Sequence, residues 1–332
     1  MKLLLIDGHY YVYRSFFAIR ELANSKGEPT NAIYGFIKTV RRMVKDLKPD
    51  AGAVIWDEGM PKRRVELQPA YKQQRAEMPD LMRSQLTFIQ KIVPMLGFGS
   101  LALPDTEADD LMASYAVAAR ERGDEVVLAT NDKDLFQLVG EQVKVYSTNK
   151  TDLAAPSDAF ALLGAEAVKK KWNVTPPQIG EVLALIGDSV DNIPGVDGLG
   201  AKGAATLLNT HGSLDALLAD LDAVKSERIR EKLKAARAQI EQNREMVRLD
   251  LDLPLPKPLD ALAIQPRYAE LIPELEWCEF KSLMAEIRTD AGAASPAIAA
   301  AAAPVAKSAP AARSAPASKP PKSEVQGDLF SM

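Results

Sequence analysis

The sequence has 332 residues, 47% hydrophobic and 26% charged, enough for a sizeable core in one large or two modest domains. No apolar run approaches the length of a membrane span, and residues 1–6 read as a strand rather than a signal peptide. The single cysteine, Cys278, excludes an internal disulfide, and with only His9 and His211 beside it a zinc centre is not expected, so the chain reads as cytoplasmic.

Short β-rich runs at 2–6, 51–56 and 125–130 each end in polar residues, with helix-like stretches at 31–47, 81–96 and 106–122 between them. Strands alternating with helices predict an α/β fold, a parallel-rich central sheet covered on both faces. From 165 to 288 the pattern turns almost wholly helical, with segments near 165–172, 176–187, 203–210, 213–220, 226–248 and 277–288. Prolines 254, 256 and 258 break it before the last helices. Residues 291–323 are dominated by Ala, Pro, Ser and Lys, a composition that cannot repay its ordering entropy and predicts a disordered tether. The expected domains are 1–164, an α/β core; 165–288, a helical region; and 289–332, the tail. No internal repeat is evident, and with no apolar helix face spare, a monomer is expected.

The aspartates fall in a pattern. Asp7 follows Leu3-Leu4-Leu5-Ile6, Asp57 follows Val54-Ile55-Trp56, and Asp132 and Asp134 follow the run 126–130. Each stands at the carboxyl end of a predicted strand, the edge where open α/β sheets bind ligands. Glu107, Asp109 and Asp110 open a helix, and Asp188 and Asp191 lie three apart, so they can share a face. Singly, each has an ordinary explanation, since acids favour helix starts and aspartates make turns. Gathered at one edge, the nine would repel strongly unless cations compensated them, and an all-oxygen donor set selects Mg²⁺ or Mn²⁺. Two such ions about 4 Å apart suit phosphodiester hydrolysis. The net charge of −4 does not exclude a polyanionic partner: with nine acids set aside, 36 remain against 41 basic residues, an excess of +5.

Two further segments fit such a partner. Around 187–210, Gly195, Gly198, Gly200 and Gly203 with Lys202 read as a hairpin between two short helices, able to approach a phosphate backbone without reading bases. An ordinary glycine-rich helix connection is the plain alternative. Residues 58–80 carry Lys62, Arg63, Arg64, Lys72 and Arg75 around Tyr71. Beside an acidic edge this insertion could hold a single strand, although a solvated loop would have the same composition.

Together these stretches resemble the 5′-nuclease (flap endonuclease) family, most closely the 5′→3′ exonuclease domain of bacterial DNA polymerase I. The matching pieces are 6–8 with Tyr13-Arg14, Trp56-Asp57, 71–75, 107–110, 132–135 and 187–196, within a likeness covering about 1–288. The resemblance implies a PIN-like core with a helical arch (58–85) and a helix–hairpin–helix clamp, acting on flaps, nicks and RNA primers in replication and repair. It assigns Asp7, Asp57, Glu107, Asp109, Asp110, Asp132, Asp134, Asp188 and Asp191 to two or three Mg²⁺ (or Mn²⁺) ions. It puts Arg14, Tyr71, Lys72 and Arg75 on the scissile phosphate and the 5′ strand, and K⁺ on carbonyls around Val196 to Leu199. It places such a protein with DNA, in the nucleoid. Trp56 stands where the family usually has phenylalanine, and no polymerase segment follows within the 332 residues.

The tail ends in Gln326-Gly327-Asp328-Leu329-Phe330, similar to the peptide that docks bacterial replication proteins on the sliding clamp. Leu329 and Phe330 would be apolar anchors, with Gln326 and Asp328 as polar contacts. The rival readings are a structure-specific DNA-binding protein without catalysis, an RNA-directed PIN-type ribonuclease, and a fragment of a larger polymerase with 291–332 as linker.

Overall fold

A six-stranded sheet in the order β3-β2-β1-β4-β5-β6 carries the site. It is seen in a computed structural model that describes residues 1–147 and 161–294. The strands are β1 (Lys2–Asp7), β2 (Ala51–Ile55), β3 (Gly99–Leu101), β4 (Glu125–Ala129), β5 (Val143–Ser147) and β6 (Ala161–Leu163). All neighbours pair parallel except β5 and β6, which are antiparallel. β1 is apolar on both faces, as a central parallel strand must be: Leu3 and Leu5 pack into one hydrophobic layer, Leu4 and Ile6 into the other.

Helices cover both faces. They are α1 (Gly8–Ala18), α2 (Asn31–Leu47), α3 (Lys62–Leu67), α4 (Asp80–Ile92) and α5 (Ala108–Glu121), then α6 (Ala165–Trp172), α7 (Ile179–Ile186), α8 (Ala201–His211) and α9 (Leu214–Ala219). The last four are α10 (Glu227–Ala235), α11 (Arg237–Met246), α12 (Tyr268–Leu275) and α13 (Lys281–Ala294). α2 shows why the pattern works: Ile33, Phe36, Ile37, Val40, Met43 and Leu47 recur at helical spacing and are all buried. No helix among the described residues is long and apolar enough to cross a membrane.

The three predicted strands and the long helices 31–47, 81–96 and 106–122 form close to those bounds. Several elements differ from expectation. The edge strands β3 and β6 have three residues each, too few for a period, and β5 carries Lys144 within an otherwise apolar run. α1 is capped by Asp7 itself, whose carboxylate accepts the Tyr10 N–H at 3.0 Å, so the strand-end acid hides a helix start. The segment expected as one helix over 226–248 is two, broken at Ala236 between α10 and α11. The tail residues 295–332 lie outside the described ones. Residues 1–291 pack as a single compact unit.

Candidate metal and nucleic-acid site

The sheet order turns back between β1 and β4, with β2 on one side of β1 and β4 on the other. Register puts Asp7 level with Ile55, and Ile6 level with Ala129, so the carboxyl ends of β1, β2 and β4 finish together. This switch point is where an open α/β sheet leaves a crevice. Asp7, Asp57 and Asp132 rise from those three ends.

Short polar bonds then lock the edge. Asp57 Oδ1 accepts the Ala108 N–H at 2.8 Å and so seats the start of α5. Thr130 Oγ1 donates to Asp7 Oδ2 at 3.1 Å and accepts the Asp132 N–H at 3.0 Å. Asp132 Oδ1 in turn accepts the Asp134 N–H at 2.9 Å. At the α5 N-terminus, Glu107, Asp109 and Asp110 each offer an oxygen within 4.8 Å of the others. Asp188 and Asp191 arrive on the loop after α7, held by an Asp188–Ile193 bridge.

The carboxylates feel one another. The Asp7 pKa is raised to about 7 by burial first, then by the charges of Asp57 and Asp132. Burial, then Asp110 on Asp109 and Asp132 on Asp134, pushes Asp109 and Asp134 well above the usual range. Asp132 is raised by burial and by Asp191 and Asp188, against the lowering Asp134 N–H. Asp57 goes the other way, to about 2: burial raises it, but the hydrogen bond and charge of His9 prevail. His9 Nδ1 lies 3.1 Å from Asp57 Oδ2. Charge thus acts between Asp7, Asp57 and Asp132, between Asp132, Asp134, Asp188 and Asp191, and between Asp132 and the Glu107, Asp109 and Asp110 group, whose oxygens lie within 4.8 Å of one another.

Internal cations offset part of the repulsion. Arg64, 1% exposed, binds Glu107 and lies 2.8 Å from Asp110 Oδ2. Lys72 Nζ bonds Glu107 and sits 3.8 Å from Asp191, while Arg75 Nη2 is 2.6 Å from Asp191 Oδ1. Tyr71 donates to Glu107 at 3.1 Å. Lys133 pairs with Asp188 at 2.9 Å. Arg14 lies half-buried within α1, whose first turn Asp7 caps. The stretch 68–75 is docked on the acidic loop: Lys72 N–H donates to Asp191 O at 3.2 Å, and Gln74 Nε2 to Ser189 O at 3.0 Å.

Sequence reasoning counted Arg64 among a run of basic residues and did not see that it is buried in the cluster. It missed Lys133, Thr130 and the His9–Asp57 contact. The Asp-Lys-Asp spacing at 132–134 was the available signal for Lys133.

The residues fit a hard divalent cation. Every donor is a carboxylate oxygen, three of them converge within 4.8 Å, and the buried Asp134 Oδ1 has no hydrogen-bond partner among the described residues.

The glycine segment forms the expected hairpin between α7 and α8. A Cβ on Gly195 would lie 1.9 Å from Ile186 O, so only glycine lets the strand pass, and Gly198 turns at φ +73°. Gly200 is the N-cap of α8, with Lys202 exposed in its first turn. Monovalent-ion binding fits less well. The Val196 carbonyl accepts the Leu199 N–H at 3.0 Å, and that of Asp197 accepts Lys232 Nζ at 2.9 Å. Two of the four carbonyls are thus engaged, and no role is assigned to K⁺.

An α/β sheet with a carboxylate-lined switch point and a glycine hairpin after it defines the class: a nuclease-type fold with a cation-ready acidic centre. Residues 2–173 match the model for the 5′-3′ exonuclease N-terminal resolvase-like domain, and 174–270 that for the 5′-3′ exonuclease C-terminal SAM fold. The chain belongs to the 5′-3′ exonuclease family, a family of DNA-acting hydrolases. It is 35% identical over 286 residues to the 5′-3′ exonuclease of Aquifex aeolicus, covering 86% of this chain and 94% of that one. It is 40% identical over 285 residues to the thermostable DNA polymerase I of Thermus thermophilus, of whose length the match spans 33%. Among solved structures, bacteriophage T5 5′-exonuclease with bound zinc shares the fold at a TM-score of 0.62 and 21% identity, covering 87% of this chain and 98% of that one. The catalytic core of Rad2 in complex with DNA substrate does so at 0.57 and 15%, covering 86% and 91%.

Proposed function

We propose that the chain is a 5′→3′ exonuclease and structure-specific 5′-flap endonuclease. It removes flaps, nicked ends and RNA primers from DNA in replication and repair, acting as a monomer in the cytoplasm. The observation that carries this reading is the gathering of Asp7, Asp57 and Asp132 at the carboxyl ends of β1, β2 and β4 beside Glu107 and Asp109 at the start of α5.

Asp7, Asp57, Glu107, Asp109, Asp132, Asp134, Asp188 and Asp191, with Asp110 beside them, would hold two or three Mg²⁺ or Mn²⁺ ions. When bound, such ions activate water and stabilise the leaving oxygen of a phosphodiester. The chain supplies the rest. Lys72 and Arg75 stand at the rim of the acidic cluster, where their charges can pass from carboxylate to scissile phosphate. Tyr71 orients Glu107, and Arg14 lies on the helix that Asp7 caps. The hairpin with Gly195, Gly198, Gly200 and Lys202 would grip the duplex backbone.

The test uses a 5′-labelled flap duplex. Cutting at the flap base in Mg²⁺, abolished by EDTA, is expected; binding without cutting would point to a DNA-binding protein, and cutting confined to RNA to a ribonuclease.

Gln326, Asp328, Leu329 and Phe330 lie outside the described residues, and the proposed clamp docking rests on the sequence alone. Replacing Leu329 and Phe330 with alanine is expected to weaken binding to a bacterial sliding clamp at least about 30-fold, since buried apolar anchors carry such peptides. Unchanged affinity in a binding titration would remove the clamp from the proposal.

A further inference from the structure

All three nitrogens of the Arg64 guanidinium donate inside the protein. Its Nε donates to Met246 O at 3.0 Å, its Nη2 to Asp110 Oδ1 at 2.9 Å and Arg248 O at 3.2 Å, and its Nη1 to Glu107. Asp110 is engaged through Oδ1, which also accepts the Asp250 N–H at 2.9 Å; its buried Oδ2 has no hydrogen-bond partner among the described residues and lies 2.8 Å from Arg64 Nη1 as an ion pair. The neighbouring Arg63 reinforces the joint, donating to Glu245 O and, at 2.9 Å, to Arg248 O. Two consecutive arginines of α3 thus bind carbonyls at the end of α11, and one of them continues to the acids that open α5.

This bears on which acids meet an ion. A divalent cation at Asp110 Oδ2 would share that oxygen with a guanidinium nitrogen already 2.8 Å from it, a repulsion little screened in a buried place. Glu107 is held by Arg64 through Oε2 alone: its Oε1 is turned to Lys72 and Tyr71, and Lys72 is partly exposed, so that oxygen is the one an ion can reach. Asp109, 3.8 Å from Arg64 and with its Oδ1 accepting only the Asp110 N–H among the described hydrogen bonds, faces the cluster.

We infer that Arg64 is a positioning residue. Its buried fork with Asp110 sets the ion-facing orientation of Glu107 and Asp109 and ties it to the end of α11, so that Asp110 acts on bound metal through Arg64. The inference rests on the metal-nuclease reading above. It also makes α11 part of the site: Asn243 of that helix donates to Pro194 O at 2.7 Å in the hairpin. α11 therefore bonds the hairpin through Asn243 and Arg64 through the Met246 carbonyl.

The test counts bound Mn²⁺ by electron paramagnetic resonance in the full chain and needs no cleavage. Asp109→Asn is expected to remove an ion from the count. Asp110→Asn is expected to keep the full count with affinity weakened about 10- to 100-fold, the usual cost of losing a group that orients a ligand. Arg64→Lys keeps the charge but not the fork, and is expected to weaken Mn²⁺ binding by a similar factor. Arg64→Lys combined with Asp110→Asn should then be no worse than the weaker single variant, because both break one joint. An ion lost with Asp110→Asn, fully additive effects in the double variant, or Arg64→Lys binding as wild type would each overturn the inference. If Asp109→Asn also left Mn²⁺ binding untouched, the metal reading itself would fall, and the positioning role with it. Melting temperatures in EDTA, measured alongside, separate an unfolded variant from a repositioned one.

Discussion

Alanine at Asp132 is expected to slow single-turnover cleavage of a 5′-flap duplex about 10³-fold or more, with duplex affinity within about threefold of wild type. Asp132 lies three residues beyond β4, and its charge contributes to the raised pKa values of Asp7, Asp109 and Asp134. An acid in that position opposes folding until a cation arrives. The variant should therefore hold or raise the melting temperature in EDTA, while the gain on adding Mg²⁺ shrinks. The pH dependence has the same origin. The Asp7 carboxyl is pushed up to about 7 in the folded chain from the ordinary aspartate range near 3.8, so between those values the folded state binds the proton more tightly. The Asp7 contribution should therefore make the metal-free protein less stable as pH rises from about 4 to 7, and Asp109 and Asp134, raised as well, act in the same direction. Removing Asp132 should flatten that slope without abolishing it, since burial is the larger cause of the Asp7 shift. Cleavage within tenfold of wild type would mean that Asp132 is not part of the reacting centre.

Much of this centre was legible because strand-end acids are a local pattern. Asp7, Asp57 and Asp132 each follow an apolar run, and a parallel sheet carries such ends to one edge whatever the loops do. What the linear pattern could not show was which charges meet across long separations. Arg64 reaches Glu107, 43 positions on, and Met246, 182 positions on, and nothing local separates it from its exposed neighbours Lys62 and Val65. The short edge strands β3 and β6 escaped for a different reason, since three residues cannot display a period. α1 escaped because Asp7 is at once a strand-end acid and a helix cap. The glycine hairpin was recognisable as a turn, but the contact of Gly195 with Ile186 O depends on how the loop folds back.

Methionine at Lys72 is expected to lower the cleavage rate about 10²- to 10³-fold, the usual cost of removing one preorganised stabiliser of developing charge. Its side chain is 12% exposed and its ammonium holds Glu107, with Asp191 3.8 Å away. That placement makes a second effect calculable in sign. Without DNA, Lys72 competes with metal for the same oxygens, so its removal should leave Mg²⁺ affinity unchanged or tighter even as the rate collapses. A lysine serving only as a structural ion pair would behave otherwise: its loss would free Glu107 and lower stability without touching the chemical step. Arg75 provides the graded comparison, because it is 48% exposed and its ion pair among the described residues is with Asp191, at 2.6 Å. Arg75→Met should cost less than Lys72→Met if distance from the reacting phosphate sets the penalty. The measurement is cleavage rate against Mg²⁺ concentration for both variants. A falling rate with a constant or lower half-saturating Mg²⁺ places Lys72 on the phosphate. A rate restored by excess Mg²⁺ would return it to the carboxylates as a mere counter-ion.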